Sequence, residues 1–466
     1  MNGRHWALVS LLAAASCTVG PDYVRPEFFD DGQLSAALEA GSGESFPISV
    51  RWYRQFEDET LNGLVGRALA GSPNVQIAVQ KLKQARYTLM INEAEFLPRL
   101  NADGGYDYNY LANGKNLPRT VEDYYKAGLD ASWEIDIWGG GRRLNEESRA
   151  LMRAAADNLV NVMLSMTAET ASDYIGLKTA QEQLRITKEN LRLQQDIYQT
   201  VKEKYDNGLA DDAALNQAEF AVQTTKALLP ALEQQEESYK NALAVLLGVL
   251  PGSLTGLDDD GDNLIGRPFF FHVENLYNFP LAAVRNRPDV RMAENSLIAK
   301  NAAIGQAVAE LFPNVSIGGV LGWQAKHFSG LGSSSAAAYG FTPAVSLPLF
   351  NFGQLINQVK LNREVKEEYV YLYKNTLLGA VEEVKNATVA VRKEYERYQA
   401  LSKSVRNMQR VLSSMRDKYR EGLIEFSDML TTEQNLLTAQ NNPAVPSTAI
   451  SSLFTKRSAA VIERSV

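Results

Sequence analysis

Residues 73 to 98 of this chain recur at 288 to 313, so whatever it folds into must contain one long unit twice. The first copy opens Ser72-Pro73-Asn74-Val75 and closes Ala94-Glu95-Phe96-Leu97-Pro98; the second opens Arg287-Pro288-Asp289-Val290 and closes Ala309-Glu310-Leu311-Phe312-Pro313. Both prolines reappear 215 positions later. Farther along, Trp138-Gly139-Gly140-Gly141-Arg142 answers Phe350-Asn351-Phe352-Gly353-Gln354 at an offset of 212, and Tyr205-Asp206-Asn207-Gly208-Leu209 answers Tyr419-Arg420-Glu421-Gly422-Leu423 at 214. A register this stable over such a length marks an internal duplication, with each copy a structural unit in its own right.

Each unit starts as a helix bounded by prolines, with Ser72 as N-cap, Pro73 at the first helical position and Pro98 as the stop. Strict two-residue alternation follows. Ala127, Leu129, Ala131, Trp133, Ile135 and Ile137 alternate with Lys126, Gly128, Asp130, Ser132, Glu134 and Asp136; Phe341, Pro343, Val345, Leu347 and Leu349 do the same in copy two. Shorter alternation precedes each run, at Tyr106, Tyr108 and Tyr110, and at Val315, Ile317, Leu321 and Trp323. Period two with one apolar face predicts strands, so each unit carries a hairpin, with loops at 111–122 and 327–337.

Beyond each hairpin the pattern turns helical, with no proline from 119 to 229 or from 349 to 442. In copy two Tyr398, Val405, Leu412 and Tyr419 fall seven apart, and Leu401, Met408 and Met415 stand three residues after the first three of them, which is an a/d heptad. Copy one repeats the phase with Leu184, Leu191, Tyr198 and Tyr205, but its d positions are the weaker Thr187, Gln194 and Val201. One helix from Asn145 to Tyr205 would reach about 90 Å. The alternative is an ordinary amphipathic bundle; the length of the segment favours a coiled coil.

The single cysteine, Cys17, follows Arg4, an apolar stretch from Trp6 to Ala15, and the small residues Ala14-Ala15-Ser16. That is the order of a secretory signal peptide, and its apolar stretch is too short to span a bilayer. A cysteine at this point resembles a lipobox, where it is acylated and becomes the mature N-terminus, and Thr18 in the next position resembles lipoproteins sorted to the outer membrane. A lone cysteine allows no intramolecular disulfide. No later apolar run reaches the ~18 residues of a membrane helix, so a membrane role falls to the strands. With 47 Lys+Arg against 55 Asp+Glu the net charge is −8, which disfavours nucleic acid as a partner.

Four strands cannot close a membrane barrel, which takes about eight. Left open in lipid, they would expose unpaired backbone edges at high cost. Several chains must therefore pool strands: two would supply eight and three would supply twelve. The apolar face meets lipid, and Trp133 with the tyrosines at 106, 108 and 110 are candidates for interfacial anchors or pore-facing rungs. The helices flanking both hairpins leave on one side, the periplasmic one.

The start Cys17-Thr18-Val19-Gly20-Pro21-Asp22-Tyr23-Val24-Arg25-Pro26 resembles the lipoprotein branch of the outer membrane factor (TolC-like, OprM-like) efflux channels. The two proline-bounded helices, the Gly141 and Gly353 turns, the Asn241–Gly248 segment and the paired Tyr-x-x-Gly-Leu stretches are similar to that family as well, over Cys17 to about Gln440. The resemblance implies a mixed α and transmembrane β fold: a homotrimeric, twelve-stranded β-barrel, four strands per chain, continuous with a long periplasmic α-helical coiled-coil barrel. It also implies a periplasmic adaptor and an inner-membrane pump as partners, and a lipid on Cys17 as the only covalent group, with no cofactor or metal. The expected organisation is a signal peptide (1–16), a lipid-anchored segment (17–60), repeat one (61–250, hairpin 99–137), an inter-repeat loop (251–275), repeat two (276–442, hairpin 314–350) and a tail (443–466).

The family's periplasmic entrance is an acidic aperture, and its aspartate six residues after the turn glycine falls on Asp428, six after Gly422. Glu425 lies three earlier on the same helical face. Three such carboxylates at a constriction would repel one another and bind cations; the alternative is a solvated carboxylate at a helix start. Copy one has Ala214 at the matching position, with Asp211 and Asp212 as secondary candidates, so the two helix hairpins have unequal parts. Tyr419 matches a family tyrosine that latches the closed state, although as a heptad a residue it also suits a core. Ile424 replaces an arginine latch found in some members.

Other features read as structural. Asp258-Asp259-Asp260-Gly261-Asp262 lacks the spacing and terminal glutamate of a calcium loop, and Gly139-Gly140-Gly141 lacks the lysine of a phosphate loop. His5, His272 and His327 are too few and too scattered for a metal site or a triad, and nothing resembles a catalytic constellation. Pro443 and Pro446 should interrupt the last helix. The reading is a passive outer-membrane exit duct of a tripartite efflux pump for drugs or other small toxic compounds, and not an enzyme. The alternative is a lipid-anchored periplasmic coiled-coil adaptor, which would have no need of four strands with apolar outer faces.

Overall fold

The computed structural model describes residues 18–30, 33, 51–111, 120–257 and 284–441. Cys17, most of the first hairpin loop, the acidic stretch Asp258–Asp262, and Pro443 with Pro446 lie outside these residues. The described chain runs α1 (Glu59–Gly71), α2 (Pro73–Ala94), β1 (Arg99–Leu111), β2 (Thr120–Ile135), α3 (Gly140–Asp206), α4 (Asp212–Leu246), α5 (Pro288–Ala309), β3 (Asn314–Ala325), β4 (Ala337–Ser346), α6 (Gln354–Arg420) and α7 (Phe426–Asn441). The duplication is met element by element: α2 and α5 each have 22 residues, and α3 and α6 each have 67. At 1.5 Å per residue each long helix reaches about 100 Å.

The strand-to-helix turns correct one detail of the alignment. Gly139 and Gly353 both have φ of +81°, and the next residue of each starts a long helix, so these two glycines correspond, at 214 rather than 212. The same bond closes both first turns, from Arg143 N–H to Gly139 O and from Asn357 N–H to Gly353 O, each 2.9 Å. Ser72 also differs from the expectation. Its hydroxyl donates to Met166 Sδ (3.5 Å), and only its carbonyl serves α2, accepting from Gln76 N–H (3.1 Å).

Two compact units cut across the repeats instead of following them. One holds Met1–Phe28, Gln80–Asp157 and Arg291–Asn375; the other holds Phe29–Val79, Asn158–Val290 and Thr376–Val466. The first contains an antiparallel sheet in the order β1-β2-β3-β4. Its register puts Ala102, Leu129, Leu321 and Tyr339 abreast across the four strands, as it does Leu100 and Ala131, with Trp133, Ile317 and Pro343 in the same row direction. Tyr106 and Tyr108 fall on this same apolar face, opposite Tyr125 and Asp123, so they share the side of Trp133. The other face carries Asn101 and Asp130 (3.2 Å apart at Nδ2 and Oδ2) and the ion pair of Lys126 with Asp107 (2.8 Å). One apolar and one polar face, with aromatic residues near both strand ends, is the pattern of a membrane barrel wall. Among the described residues no helix is long and apolar enough to cross a membrane.

In the same unit the segment Thr18–Phe28 is tied to α3 and α5. Val19 N–H donates to Trp138 O (3.0 Å), the buried Arg143 donates to Val19 O (3.1 Å), Gly20 O (3.3 Å) and Asp22 (2.8 Å), and Arg25 clamps Glu294 (2.6 and 2.8 Å). In the second unit Trp52, Phe56, Leu61, Val65, Tyr174 and Leu243 form the main core. Asp58 caps α1, accepting from Leu61 N–H (2.7 Å), and its other oxygen accepts from Tyr174 Oη (2.9 Å).

Both long helices end in one device. Gly208 (φ +72°) and Gly422 (φ +73°) stand one residue before Leu209 and Leu423, whose N–H groups reach back to Lys204 O (2.7 Å) and Lys418 O (2.9 Å). This is a Schellman ending, which favours glycine because a Cβ in the left-handed region crowds the following carbonyl. Gly422→Ala should therefore lower stability by about 1–2 kcal/mol. Gly63→Ala, in the interior of α1 with open space around a new Cβ, should raise it by about 1 kcal/mol. Thermal unfolding of the purified variants checks both signs.

Candidate periplasmic aperture

Heptad patterning brings the two hairpin tips of the second unit together. Val201, Ala218, Ala221, Leu412, Phe426, Met429, Leu430 and Leu436 bury one another, and Tyr198, Val405, Met408, Met415, Tyr419 and Ile424 pack around them. The a and d positions of copy two from Val405 to Tyr419 thus pack with the tip of copy one, while the polar d residues Thr187 and Gln194 of copy one are also buried.

Tyr419, expected as latch or core, is a wall of this cluster. Its ring lies 5.8 Å from Phe426, and Lys204 Nζ sits 4.5 Å from its centroid. A cation over a tyrosine face is attracted by the ring quadrupole, so Lys204 joins the two tips. Its only trace in the sequence is the repeated pair, Lys204-Tyr205 in copy one and Lys418-Tyr419 in copy two. Ile424 packs on the same cluster.

The acidic residues separate by position. Asp428 stands in the first turn of α7, exposed, with its backbone carbonyl taken by Thr432 Oγ1 (3.0 Å). Among the described residues its carboxylate receives no hydrogen bond. Glu425, one residue ahead of α7, is exposed too, with Ser427 Oγ at 3.5 Å. Asp211 has a different occupation: it is the N-cap of α4 and accepts from Ala214 N–H (2.8 Å), while Asp212 is exposed in the first turn. The structure brings Tyr419 beside both tips, whereas Asp428 and Glu425 stay on the solvent side of the α6–α7 turn.

A further carboxylate of this region carries no signal in the sequence. Glu433 is 1% exposed on α7 and pairs with Arg416 of α6 at 3.3 Å, leaving its Oε2 without a partner. Its place in an apolar helix row is visible only after α7 has been docked. Burial pushes this carboxyl above the usual range, and the Arg416 guanidinium works against that shift. A carboxyl that holds its proton more tightly folded than unfolded stabilises the fold at low pH. That contribution fades as pH rises from the ordinary glutamate range through the raised folded value. Hydrogen exchange of the α7 amides, corrected for intrinsic rates, should show stronger protection at pH 5 than at pH 8, and Glu433→Gln should remove the difference. Arg416→Ala, which strands the carboxylate, should cost about 1–3 kcal/mol in thermal unfolding.

Comparison with known proteins agrees with this architecture. The family model described as "Outer membrane efflux protein" matches residues 64–249 and 280–445, which spans both copies. Nodulation protein T of Rhizobium leguminosarum bv. trifolii is 28% identical over 437 residues, 92% of this chain and 90% of that protein. The cation efflux system protein CusC of Escherichia coli is 26% identical over 432 residues, 91% of each chain. The solved outer-membrane channel OprN aligns with a TM-score of 0.80 and 29% identity, covering 95% of this chain and 98% of its own. With a duplicated helix–hairpin–long-helix unit, a sheet polar on one face and apolar on the other, and a family match over both copies, this chain belongs to the outer membrane efflux protein family and forms an outer-membrane exit channel.

Proposed function

We propose that three copies of the chain pool their four-stranded sheets into one closed twelve-stranded barrel, the passive duct through which a tripartite pump discharges drugs or other small toxic compounds. The observation that carries this reading is the sheet itself. One chain presents an apolar face together with two unpaired edges, β1 and β4, and in hydrocarbon each unpaired backbone group costs several kcal/mol. Pooling strands removes every edge. A periplasmic coiled-coil adaptor would gain nothing from such a sheet.

Acylation of Cys17 suits the same arrangement. Thr18, the next residue, lies against the Gly139 turn at the end of the sheet, where a Cβ on Gly139 would stand 2.9 Å from Thr18 Cα. A lipid one residue away would enter the leaflet that the Trp133 end of the strands reaches. The duct itself performs no chemistry; energy comes from an inner-membrane pump reached through a periplasmic adaptor. Asp428, with Glu425 beside it and Asp212 as a lesser contributor, forms the cation-binding ring of the aperture, and Tyr419, packed on the tip cluster beside Phe426, is the latch of its closed state. Asp211, committed to capping α4, contributes less.

On a denaturing gel the unboiled protein should run as a heat-sensitive band near three chain masses; a monomer at every temperature would favour the adaptor. In planar bilayers the wild type should give small, cation-dependent conductances, and Asp428→Ala should widen them or abolish cation block. Unchanged channels would keep the duct and remove Asp428 from its gate.

A further inference from the structure

The polar face of the sheet is charged in one hairpin and neutral in the other. On β1 and β2 it presents five acids, Asp103, Asp107, Glu122, Asp130 and Glu134, against two bases, Arg99 and Lys126. On β3 and β4 the residues that face the same way, from Asn314 to Gln324 and from Ala338 to Ser346, are small, neutral-polar or valine, and none is charged. The two copies diverge here although their alternation is the same. Pro98 and Pro313 precede β1 and β3 at the common offset of 215, and at that offset Arg99, Asp103 and Asp107 become Asn314, Gly318 and Gly322.

The five acids are not alike. Lys126 pairs with Asp107 at 2.8 Å, and the two cancel. Arg99 turns off the sheet to Glu95 (3.3 Å). Asp130 accepts from Asn101 Nδ2 (3.2 Å), and Glu134 accepts from Asn314 Nδ2 (2.7 Å). A neutral donor orients a carboxylate and favours its charged form without cancelling the charge. Among the described residues Asp103, Asp130 and Glu134 form no ion pair. Asp103 lies opposite Gly128, which makes it a diagonal neighbour of Asp130 across the β1–β2 ladder. Like charges within reach across a ladder repel one another, so the sheet carries this pair at a cost in stability.

The charges are also spread along the strands. On β2 they recur at every fourth residue, at Glu122, Lys126, Asp130 and Glu134, which is about 13 Å per step at the rise of a strand. Salt screens a charge over about 10 Å at 0.1 M. The fields of successive carboxylates therefore join along the wall, and low-dielectric walls focus them on the water between.

We propose that the β1–β2 hairpin sets the charge preference of the barrel segment, with Asp103, Asp130 and Glu134 as the residues that favour cationic over anionic cargo. This rests on the duct described above and adds a determinant of selectivity in the sheet, separate from Asp428 at the helix tips. Cations are concentrated beside β1 and β2, and anions are repelled there. The uncharged wall of β3 and β4 keeps the attraction partial, and passage requires that cargo be released as readily as it enters.

The test is the reversal potential of single channels in planar bilayers under a KCl gradient. It compares the wild type, Asp428→Ala and the triple variant Asp103→Asn/Asp130→Asn/Glu134→Gln, each first shown to form the heat-sensitive trimer. The wild type and Asp428→Ala should both pass potassium in preference to chloride. The triple variant should bring the permeability ratio toward unity, and Lys126→Gln, which frees Asp107, should raise it. All these differences should shrink in 1 M KCl, where screening acts over about 3 Å. Asp103→Asn alone leaves the Asn101–Asp130 and Asn314–Glu134 bonds in place and serves if the triple variant does not assemble. It should lower the ratio by a smaller step. An unchanged ratio in these variants, or a ratio of unity in Asp428→Ala alone, would overturn the proposal and leave the duct standing. An inserted trimer that never conducts would overturn the duct and this inference together.

Discussion

The four-stranded sheet leaves the backbone N–H and C=O groups of two edges without partners, and hydrocarbon offers them none. Water would satisfy such groups at little cost; lipid does not, at several kcal/mol for each. Much of the remaining organisation follows from this. The strands alternate so that one face suits lipid and the other an aqueous lumen. The edges call for further copies, and the internal duplication makes one chain already equal to two neighbours of a larger ring.

The helical unit meets a different demand: it must hold long helices in register while leaving their tips able to present charge. Heptad packing supplies the register and the two Schellman glycines end both long helices in the same way. Beyond the glycines the copies diverge. Copy one places an aspartate where it caps the next helix; copy two has the longer Glu425 at that place and moves its aspartate to Asp428 in the first turn. The partly exposed Arg416, paired with the buried Glu433, holds α7 against α6. Buried ion pairs contribute little net stability but penalise misplacement, which suits an element whose position sets where Asp428 stands.

Much of this was legible in the residues because it depends on short-range periodicity. Alternation at Ala127–Ile137 and Val315–Trp323 revealed strands, the spacing of Tyr398, Val405, Leu412 and Tyr419 revealed the packed helix face, and the glycines at 208 and 422 marked the turns. Errors arose where several local solutions were open. The glycine run 139–141 offered three candidates for the turn, and only backbone geometry selects Gly139. Ser72 has the chemistry of an N-cap, yet Met166, 94 positions away, takes its hydroxyl. The alternation through Leu349 overstates β4, which stops at Ser346 after Pro343 and before Pro348, where proline removes ladder donors.

The sequence alone therefore determined the duplication, the element types, the lipid-facing strand rows, the family resemblance and the place of the candidate aperture at the helix turns. Each is written in periodicity or in residues close along the chain, where sterics and solvent preference act within a few positions. Only the tertiary structure decided which carboxylates are committed and which are available: Asp211 to a cap, Glu433 to Arg416, and Asp428 to solvent. It also placed Lys204 over Tyr419 and divided the compact units across the repeats. These outcomes depend on distances between segments far apart in sequence, set by how whole helices pack, and such distances leave no local trace in the chain.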